Sequence, residues 1–192
     1  MISEEMETLE AIQKRCSLKT WISERPVEPE KVRAVLDAAR LAPSARNTQP
    51  WRFVVVQGKE AVTSLVEAAF FGPTPTVKQA PLLIVVCARP EDDVVIDGKP
   101  YYLFDLGLAV ENMLLAATAL GLVTHPMTSF NEAVVKRMLQ IPEDVRVVII
   151  TPLAYPSTAS YEEAARERLS QRVRRKLDEL VYYHHWSKPE ID

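Results

Sequence analysis

The sequence predicts a single domain of the α+β or mixed α/β class, in which helices cover a small sheet. The chain has 192 residues, which is enough for one full-sized hydrophobic core. Few strand-like apolar segments are interleaved with longer helix-like ones. No internal repeat or low-complexity linker divides the sequence, so we expect one domain over residues 1–192.

The first part of the chain is predicted to contain three helices and one strand. Apolar residues at helical spacing predict a helix over Ser3–Arg15. A second helix begins at Pro29, because proline is favoured at the first helical position, and it must end before Pro43. β-Branched residues predict a strand over Phe53–Gln57, after which Gly58 opens a third helix.

The middle of the chain is predicted to hold a loop, a buried strand and a long helix. Two prolines and a glycine in Phe71–Gln79 predict the loop. Leu82–Ala88 is apolar at every position, which is typical of a strand buried on both faces. Tyr101–Leu120 is predicted to be a long apolar helix that stops at Gly121, with a short strand over Leu122–Thr124.

The last third is predicted to hold two helices and a third clear strand. Apolar residues at helical spacing predict a helix that ends at Pro142, and Val145–Thr151 is the strand. Ser160 and Glu163 have the spacing of a capping box for a last, arginine-rich helix. Beyond Leu177 the tail is apolar and aromatic.

The long helix and the tail carry more apolar surface than one chain of this size is expected to cover. The helix over Tyr101–Leu120 is apolar almost all round, and such a helix must be covered all round. Because few strands are available to cover it, we expect a homodimer. Its interface would bury this helix together with the tail, over about residues 177–192.

Composition and charge argue against several classes of function. A net charge of -3 argues against nucleic acid as the main partner. Asp105, Glu111 and Asn112 interrupt the longest apolar run, so we expect a buried helix and no membrane span. Two cysteines without metal or disulfide spacing, and an acidic first turn, predict a cytoplasmic protein. The three histidines have no partners at metal-ligand spacing, so we predict no metal site.

Two cations and a hydroxyl lie close together at the end of the first predicted helix, in residues 15–19, Arg-Cys-Ser-Leu-Lys. An arginine fork and a serine hydroxyl suit a phosphate monoester, and a lysine suits a delocalised anion. The alternative is a solvated cationic helix end, which the helix dipole also favours. The residues alone leave both interpretations open.

A polar turn precedes the first predicted strand. Residues 42–53 read Ala-Pro-Ser-Ala-Arg-Asn-Thr-Gln-Pro-Trp-Arg-Phe, which is too polar for a core. Such a segment either satisfies its polar groups on its own backbone or presents them to a ligand. Its composition leaves these two interpretations nearly even.

Together, the two segments resemble the flavin-binding motifs of the nitroreductase family. That family has an Arg-x-Ser-x-Arg/Lys stretch early in the chain and Ala-Pro-Ser-x-x-Asn-x-Gln-Pro-Trp before the first core strand. Residues 126–130, Pro-Met-Thr-Ser-Phe, are similar to the family turn that faces the flavin ring, with Ser129 where glycine is common. Residues 153–156, Leu-Ala-Tyr-Pro, and 174–181 are similar to two further family patterns, with alanine for glycine and lysine for proline.

The resemblance implies roles for the matching residues in binding FMN. Arg15 and Ser17, with one of two C-terminal arginines, would hold the phosphate and the ribityl chain. Lys19 would lie near N1 and O2 of the ring and stabilise its negative charge when it is reduced. Cys16 departs from the basic residue that is usual at its position, which removes one phosphate donor.

The polar turn and the residues after the short strand would complete the implied site. Pro43, Ser44 and Asn47 would line the ring from the partner subunit. Thr128 and Ser129 would offer backbone donors near N5. The residues expected to bind the cofactor are thus Arg15, Cys16, Ser17, Lys19, Pro43, Ser44, Ala45, Asn47, Pro126, Met127, Thr128, Ser129, Arg174 and Arg175.

The resemblance also implies a fold and a reaction. The fold would be a three-layer α/β/α sandwich with a mixed, mostly antiparallel sheet and a long central helix in a dimer interface. The reaction would be FMN-dependent oxidation of NADH or NADPH, with ping-pong hydride transfer through flavin N5 to nitroaromatics, quinones or related acceptors.

Two alternatives to this reaction stay open. A specialised reaction, such as dehalogenation, ene reduction or flavin processing, would need an added lid, for which Phe71–Gln79 and Glu91–Lys99 provide little material. The other alternative is a flavin-binding dimer with a regulatory role and no turnover.

Overall fold

A computed structural model of the chain describes residues 7–17, 22–72, 76–157 and 160–186. The helices in these ranges are α1 (Thr8–Lys14), α2 (Pro29–Arg40), α3 (Lys59–Ala69), α4 (Tyr102–Ala119), α5 (Glu132–Leu139) and α6 (Ser160–Ser170). The strands are β1 (Trp51–Gln57), β2 (Leu82–Ala88), β3 (Val95–Ile96), β4 (Lys99–Pro100), β5 (Val123–Thr124) and β6 (Arg146–Ala154).

The main sheet has the strand order β1-β2-β6-β5, and its neighbouring strands pair antiparallel. Ser17 adds a parallel bridge to Thr124 at the β5 edge. The predicted mixed, mostly antiparallel sheet is therefore confirmed. β3 and β4 form a separate hairpin, which turns at Asp97 and Gly98, both with positive φ.

Each face of the sheet carries its own hydrophobic core. Because neighbouring strand residues point to opposite faces, Leu83 and Val85 of β2 pack in one core with α3 and α5. Ile84 and Val86 pack in the other core with α2 and α4. β2 is therefore buried on both faces, and the domain has the predicted helix–sheet–helix layers.

α4 is only partly covered by its own chain. Its inner face, which includes Leu106 and Met113, is buried against α2 and the sheet. Leu103 and Phe104 on its outer side are 49% and 62% exposed. By length and composition α4 could cross a membrane, but its buried inner face is that of a core helix. One chain thus leaves an apolar strip of α4 open, at the position that the dimer prediction assigns to the interface.

β6 is longer than predicted because Pro152 does not end it. Proline usually stops a central strand, since it lacks the N–H needed for the ladder. Two residues earlier, Ile150 exchanges backbone hydrogen bonds with Met127 (2.9 and 3.1 Å), so by alternation the Pro152 nitrogen faces the same edge. There, His125 N–H donates to the Thr151 hydroxyl instead (3.1 Å), and the strand continues to Ala154.

Much of the apolar face of α1 is exposed. Ala11 is its buried residue, whereas Leu9 and Ile12 are 72% and 46% exposed. The described part of the tail also presents exposed apolar side chains, including Leu180 and Trp186. The first residues of the predicted helix and the capping side chain of Ser160 lie outside what the structure describes.

Candidate functional site

A cavity of about 430 Å³ lies between the end of α1 and the region that follows α6, and we call it the arginine cavity. Arg15 and Arg172 line it, although they are 157 residues apart in sequence. Its charged and polar lining includes Arg15, Cys16, Ser17, Arg168, Arg172 and Arg174. Four guanidinium groups and one hydroxyl therefore meet in one place.

The positive charge of the arginine cavity is largely uncompensated. Glu111 of α4 approaches Arg15, with 3.9 Å between Arg15 Nε and Glu111 Oε1. Within the described ranges, the other three arginines of the cavity have no carboxylate partner. Arg172 donates to the Arg15 carbonyl oxygen, and Arg15 Nη1 donates to Ser17 Oγ at 3.4 Å. These contacts join the two segments and leave most of the N–H donors available.

The donor set of the arginine cavity fits a phosphate monoester. Guanidinium groups bind phosphate oxygens through paired, charge-assisted hydrogen bonds, and the Ser17 hydroxyl adds a further donor. A second cavity of about 460 Å³ shares Cys16 with the arginine cavity and is lined by Thr118, Leu122 and Tyr161. An organic group attached to the phosphate thus has adjoining space.

Residues 43–49, which we call the polar turn, fold back on themselves. Gln49 N–H donates to Ser44 Oγ, and Asn47 N–H donates to the Ser44 carbonyl oxygen, both at 2.9 Å. Arg46, Asn47 and Gln49 have φ angles of 52°, 60° and 52°, in the left-handed region that is unfavourable for residues other than glycine. The turn closes on its own side chain, and it also holds strained backbone of the kind that clusters at functional sites.

Two carboxyl groups hold the polar turn from outside. Ala45 N–H donates to Asp105 Oδ2 in the first turn of α4 at 2.7 Å. Thr48 Oγ1 donates to Asp93 Oδ1 at 2.8 Å. Asp105 is 1% exposed. Its burial raises its pKa, the Ala45 N–H opposes this effect, and the neighbouring Asp93 carboxyl raises the pKa further.

The segment 126–129 follows β5 directly. Met127 is 7% exposed, and both of its backbone groups bond to Ile150, so it serves the core and the sheet. Thr128 and Ser129 are exposed. Within the described part of the chain, their amide N–H groups donate no hydrogen bond. These two amides, rather than Met127, are the groups of this segment that can contact a ligand.

The polar turn and the arginine cavity lie at opposite ends of the sheet. The polar turn leads into Trp51, which pairs with Ala88 at one end of β2. Ser17 bridges to Thr124, which is level with Leu82 at the other end of β2. The six-residue step between these ends spans about 20 Å at roughly 3.3 Å per residue.

The positions along α4 also separate the two constellations. The polar turn bonds to Asp105 in the first turn of the helix, Arg15 of the arginine cavity approaches Glu111 six residues further on, and Cys16 faces the second cavity, which is lined by Thr118 in the last turn. From Asp105 the helix rises by about 9 Å to Glu111 and by about 20 Å to Thr118. One chain thus places the polar turn and the arginine cavity at different levels of α4.

The arginine cavity contains some of the predicted site residues and adds others. Of the two C-terminal candidates, Arg174 lines the cavity, and Arg175 is not among its lining residues. Arg168 and Arg172 were missed: Arg168 lies in the last turn of α6, whereas Arg172 lies two residues beyond its end, so helical spacing does not group them. Lys19 lies outside the described residues.

The other predicted residues fall into two separate groups. Pro43, Ser44, Ala45 and Asn47 all belong to the polar turn, where Pro43 and Asn47 are exposed. Pro126, Met127, Thr128 and Ser129 belong to the segment after β5. The carboxyl groups of Asp93 and Asp105 that hold the polar turn were not predicted to take part.

Comparison with known proteins gives consistent matches over most of the chain. The model of the Nitroreductase family matches residues 12–79 and 71–155. A relative from Archaeoglobus fulgidus, provisionally named NADH dehydrogenase/NAD(P)H nitroreductase, is 37% identical over 157 residues, which are 78% of this chain and 86% of the relative. An iodotyrosine deiodinase of Haliscomenobacter hydrossis is 29% identical over 187 residues, with 82% of each chain covered.

A solved structure supports the same relationship. The FMN-dependent nitroreductase of Clostridium difficile R20291 is 26% identical and superimposes with a TM-score of 0.68. The match covers 78% of this chain and 88% of that one.

Proposed function

The chain belongs to the nitroreductase family, and we propose that it is an FMN-dependent oxidoreductase that oxidises NADH or NADPH and reduces a nitroaromatic compound, a quinone or a related small acceptor. FMN, when bound, would supply the hydride-transfer chemistry of a ping-pong reaction between the nicotinamide and the acceptor. The chain itself has to bind the phosphate, orient the ring and leave one ring face open to both substrates.

The arginine cavity is the observation that carries this proposal. Its guanidinium groups meet no carboxylate among the described residues except Glu111, so a bound dianion would neutralise them. Arg15, Ser17, Arg172 and Arg174 would hold the FMN phosphate through charge-assisted hydrogen bonds. Such contacts fix one end of the cofactor and thereby set where the ring can lie.

The residues near β5 would orient the ring. Ser17 bridges to Thr124, and the segment with Thr128 and Ser129 begins two residues further on, at Pro126. Their exposed amide N–H groups would donate to the ring edge near N5, where hydride enters and leaves. Lys19 would supply a positive charge near N1 and O2.

We also infer that two chains build each site. Along the sheet the polar turn lies about 20 Å from Ser17 of the arginine cavity in its own chain, and it would reach a flavin bound by the partner. The exposed side of α4, with Leu103 and Phe104, is the surface that would bring the partner close. A homodimer thus accounts for two features of the chain, its split site and its uncovered helix.

A dehalogenating activity is the second candidate, because the deiodinase relative matches over most of the chain. In this chain, residues 91–99 form a short hairpin rather than a long lid. That geometry favours an open site with broad acceptor range over one that encloses a single halogenated substrate.

A regulatory flavin protein without turnover is the remaining alternative. We place the enzyme in the cytoplasm, in keeping with its free cysteines, Cys16 and Cys87.

An anaerobic absorbance spectrum tests the proposal first. We expect a purified protein with a flavin band that bleaches on addition of NADH or NADPH and returns when a nitroaromatic compound or a quinone is added. A band that no nicotinamide bleaches would support the regulatory role instead. Recovery of the band only by an iodinated or brominated phenol would favour dehalogenation. No flavin band after incubation with FMN would overturn the proposal.

A further inference from the structure

We propose that Asp93 and Asp105 form a carboxyl pair that shares one proton and holds the polar turn in its strained conformation. Asp105 is then a positioning residue, since it acts on the site through the backbone of Ala45. The structural part of this inference concerns the chain alone. Its consequence for flavin binding rests on the proposed function.

The polar turn needs external support to keep its conformation. Arg46, Asn47 and Gln49 all have positive φ, which asparagine tolerates but which is unfavourable for Arg46 and Gln49. The internal bonds of Ser44 close the loop but do not attach it to the domain. Strained conformations persist only when the surrounding structure over-determines them.

The two carboxyl groups provide this attachment at both ends of the short helical turn over Ala45–Asn47. Asp105 Oδ2 accepts from Ala45 N–H at 2.7 Å, at its start. Asp93 Oδ1 accepts from Thr48 Oγ1 at 2.8 Å, just after its end, and from Val94 N–H at 2.6 Å. The turn is thereby tied to α4 on one side and to the segment before β3 on the other.

One oxygen of the pair has no donor in this arrangement. Asp93 Oδ2 is buried and accepts no hydrogen bond from the N–H and O–H groups of the described residues. An unpaired buried acceptor is unfavourable, and more so when it carries charge. The neighbouring carboxyl is that of Asp105, which lies close enough for Asp93 to raise its pKa.

A single proton on Asp105 gives the buried Asp93 Oδ2 a hydrogen-bond donor and leaves the other contacts of the pair in place. The protonated Asp105 Oδ1 donates to Asp93 Oδ2, while Asp105 Oδ2 still accepts from Ala45 N–H. Asp93 stays ionised and accepts from Thr48 and Val94. The raised pKa of Asp105 favours this proton, since both burial and the charge of Asp93 disfavour the ionised form.

No counter-ion takes the place of the proton. Asp92, next to Asp93 in the sequence, pairs with Arg52 and Arg89, at 3.0 and 4.0 Å, and Arg46 of the polar turn is exposed. Among the described residues, no lysine or arginine forms an ion pair with Asp93 or Asp105. Loss of the shared proton as the pH rises would therefore place two like charges together and loosen the polar turn.

Two substitutions of Asp105 separate the shared proton from a merely structural role. D105N keeps an oxygen for Ala45 N–H and supplies an N–H donor for Asp93 Oδ2, so it mimics the protonated acid. D105A removes both groups. D97N is the matched control, because Asp97 is an exposed aspartate in the nearby β3–β4 turn. T48V removes one external contact alone and serves if D105A does not fold.

The first readout is the NMR signal of the Ala45 amide, with the carboxyl carbon of Asp105 followed across pH, in the purified protein. The second is the dissociation constant of FMN from flavin fluorescence. In D105N and D97N we expect the chemical shift of the Ala45 amide to match that of the parent. The dissociation constant of FMN should stay within about twofold of the parent value. In D105A the Ala45 signal should move and FMN should bind at least about fivefold more weakly, with a smaller loss in T48V.

The outcomes that overturn the proposal are distinct from failure of the proposed function. If D105N matches D105A in both readouts, the carboxylate charge rather than a shared proton is what holds the turn. If D105A leaves the Ala45 signal unmoved, Asp105 does not position the turn. If the parent protein binds no FMN, the proposed function fails, while the Ala45 and Asp105 signals still decide whether the pair exists.

Discussion

The Tyr155 hydroxyl donates a 2.6 Å hydrogen bond to Glu28 Oε2, and this contact joins the end of β6 to the start of α2. The Arg25 guanidinium lies 4.0 Å from the centre of the same ring, and Lys31 Nζ lies 4.9 Å from it. Ser23 N–H also donates to the Tyr155 carbonyl oxygen at 2.8 Å. Tyr155 belongs to the Leu-Ala-Tyr-Pro segment that resembles a family pattern, and in this chain it connects the end of β6 to the start of α2.

Substitution Y155F should raise the pKa of Glu28 from about 2 towards its ordinary value of 4.5, because the Tyr155 hydroxyl is the largest cause of the lowered pKa. A carboxylate with a lowered pKa stabilises the fold above the pKa of the unfolded chain, and this contribution is lost as the pH falls towards 2. The variant should therefore be less stable than the parent at pH 7, with the difference shrinking in acid. NMR titration of Glu28 and urea unfolding at several pH values test this.

The control for the Tyr155–Glu28 contact is Y183F, since Tyr183 is an exposed tyrosine of the tail. It should change neither the titration of Glu28 nor the midpoint of unfolding. If Glu28 titrates in Y155F as it does in the parent, the Tyr155 hydroxyl does not lower its pKa, and Arg25 becomes the next group to substitute.

Substitution R172Q should weaken FMN far more than riboflavin. Arg172 lines the arginine cavity, and the two ligands differ only in the phosphate that this cavity would bind. A charge-assisted hydrogen bond is worth roughly 1.5–3 kcal/mol, so FMN should bind about ten- to a hundredfold more weakly. Fluorescence titration with both flavins measures the difference.

R33Q is the matched control for Arg172, because Arg33 lies on the exposed side of α2, away from the cavity. It should leave both dissociation constants unchanged. Equal losses of FMN and riboflavin in R172Q would mean that Arg172 supports the fold of the cavity rather than the phosphate.

Local sequence patterns were enough to predict most of the helices and strands. The end of β6 was mispredicted because it depends on pairing between strands that are distant in sequence. The apolar run of β2 identifies a strand buried on both faces without knowledge of its neighbours. By contrast, whether Pro152 ends β6 depends on which edge its nitrogen faces, and that is decided by the pairing with β5. The Asp97–Gly98 pair is a local signal for the β3–β4 hairpin that could have been used.

In the candidate site, too, residues of one local motif could be predicted, whereas residues brought in by long-range contacts could not. Arg15 and Ser17 are two residues apart in sequence and resemble a known motif, so they could be predicted. Arg172 meets them only because the chain returns to the end of α1 after 157 residues. The support of the polar turn by Asp105 likewise spans 60 residues, and no local spacing indicates it.

The two cysteines should differ sharply in reactivity. Cys87 is 1% exposed, and its burial, with the charge of Glu132, raises its pKa to about 12. Since the thiolate is the reactive form, Cys87 should be inert at pH 8, whereas the partly exposed Cys16 should react. A disulfide reagent should therefore titrate one thiol per native chain and two after unfolding, and C16S should abolish the native reaction.

Cys16 also reports on occupation of the arginine cavity, which it lines. Bound FMN should slow its reaction by about tenfold or more if phosphate contacts close the cavity. C87S is the control, and it should leave the native reaction unchanged. Two rapidly reacting thiols in the native protein would contradict the burial of Cys87, and an unprotected Cys16 would place the phosphate elsewhere.

Substitution F104E should separate the proposed dimer and release its flavin together. Phe104 is 62% exposed on the outer side of α4, within the apolar strip that one chain leaves uncovered. A carboxylate there would be buried without a partner, at a cost of several kcal/mol, so the dimer should weaken by roughly a hundredfold or more. Analytical ultracentrifugation with detection at the flavin wavelength follows both effects at once.

M138E is the matched control for Phe104, because Met138 is a partly exposed apolar residue of α5, on the opposite face of the sheet. It should leave a dimer that retains FMN. Because the polar turn is about 20 Å along the sheet from Ser17 of its own chain, a monomer should lose the contacts of the turn to the ring while keeping those to the phosphate. A monomeric F104E that binds FMN as tightly as the parent would show that one chain builds the whole site.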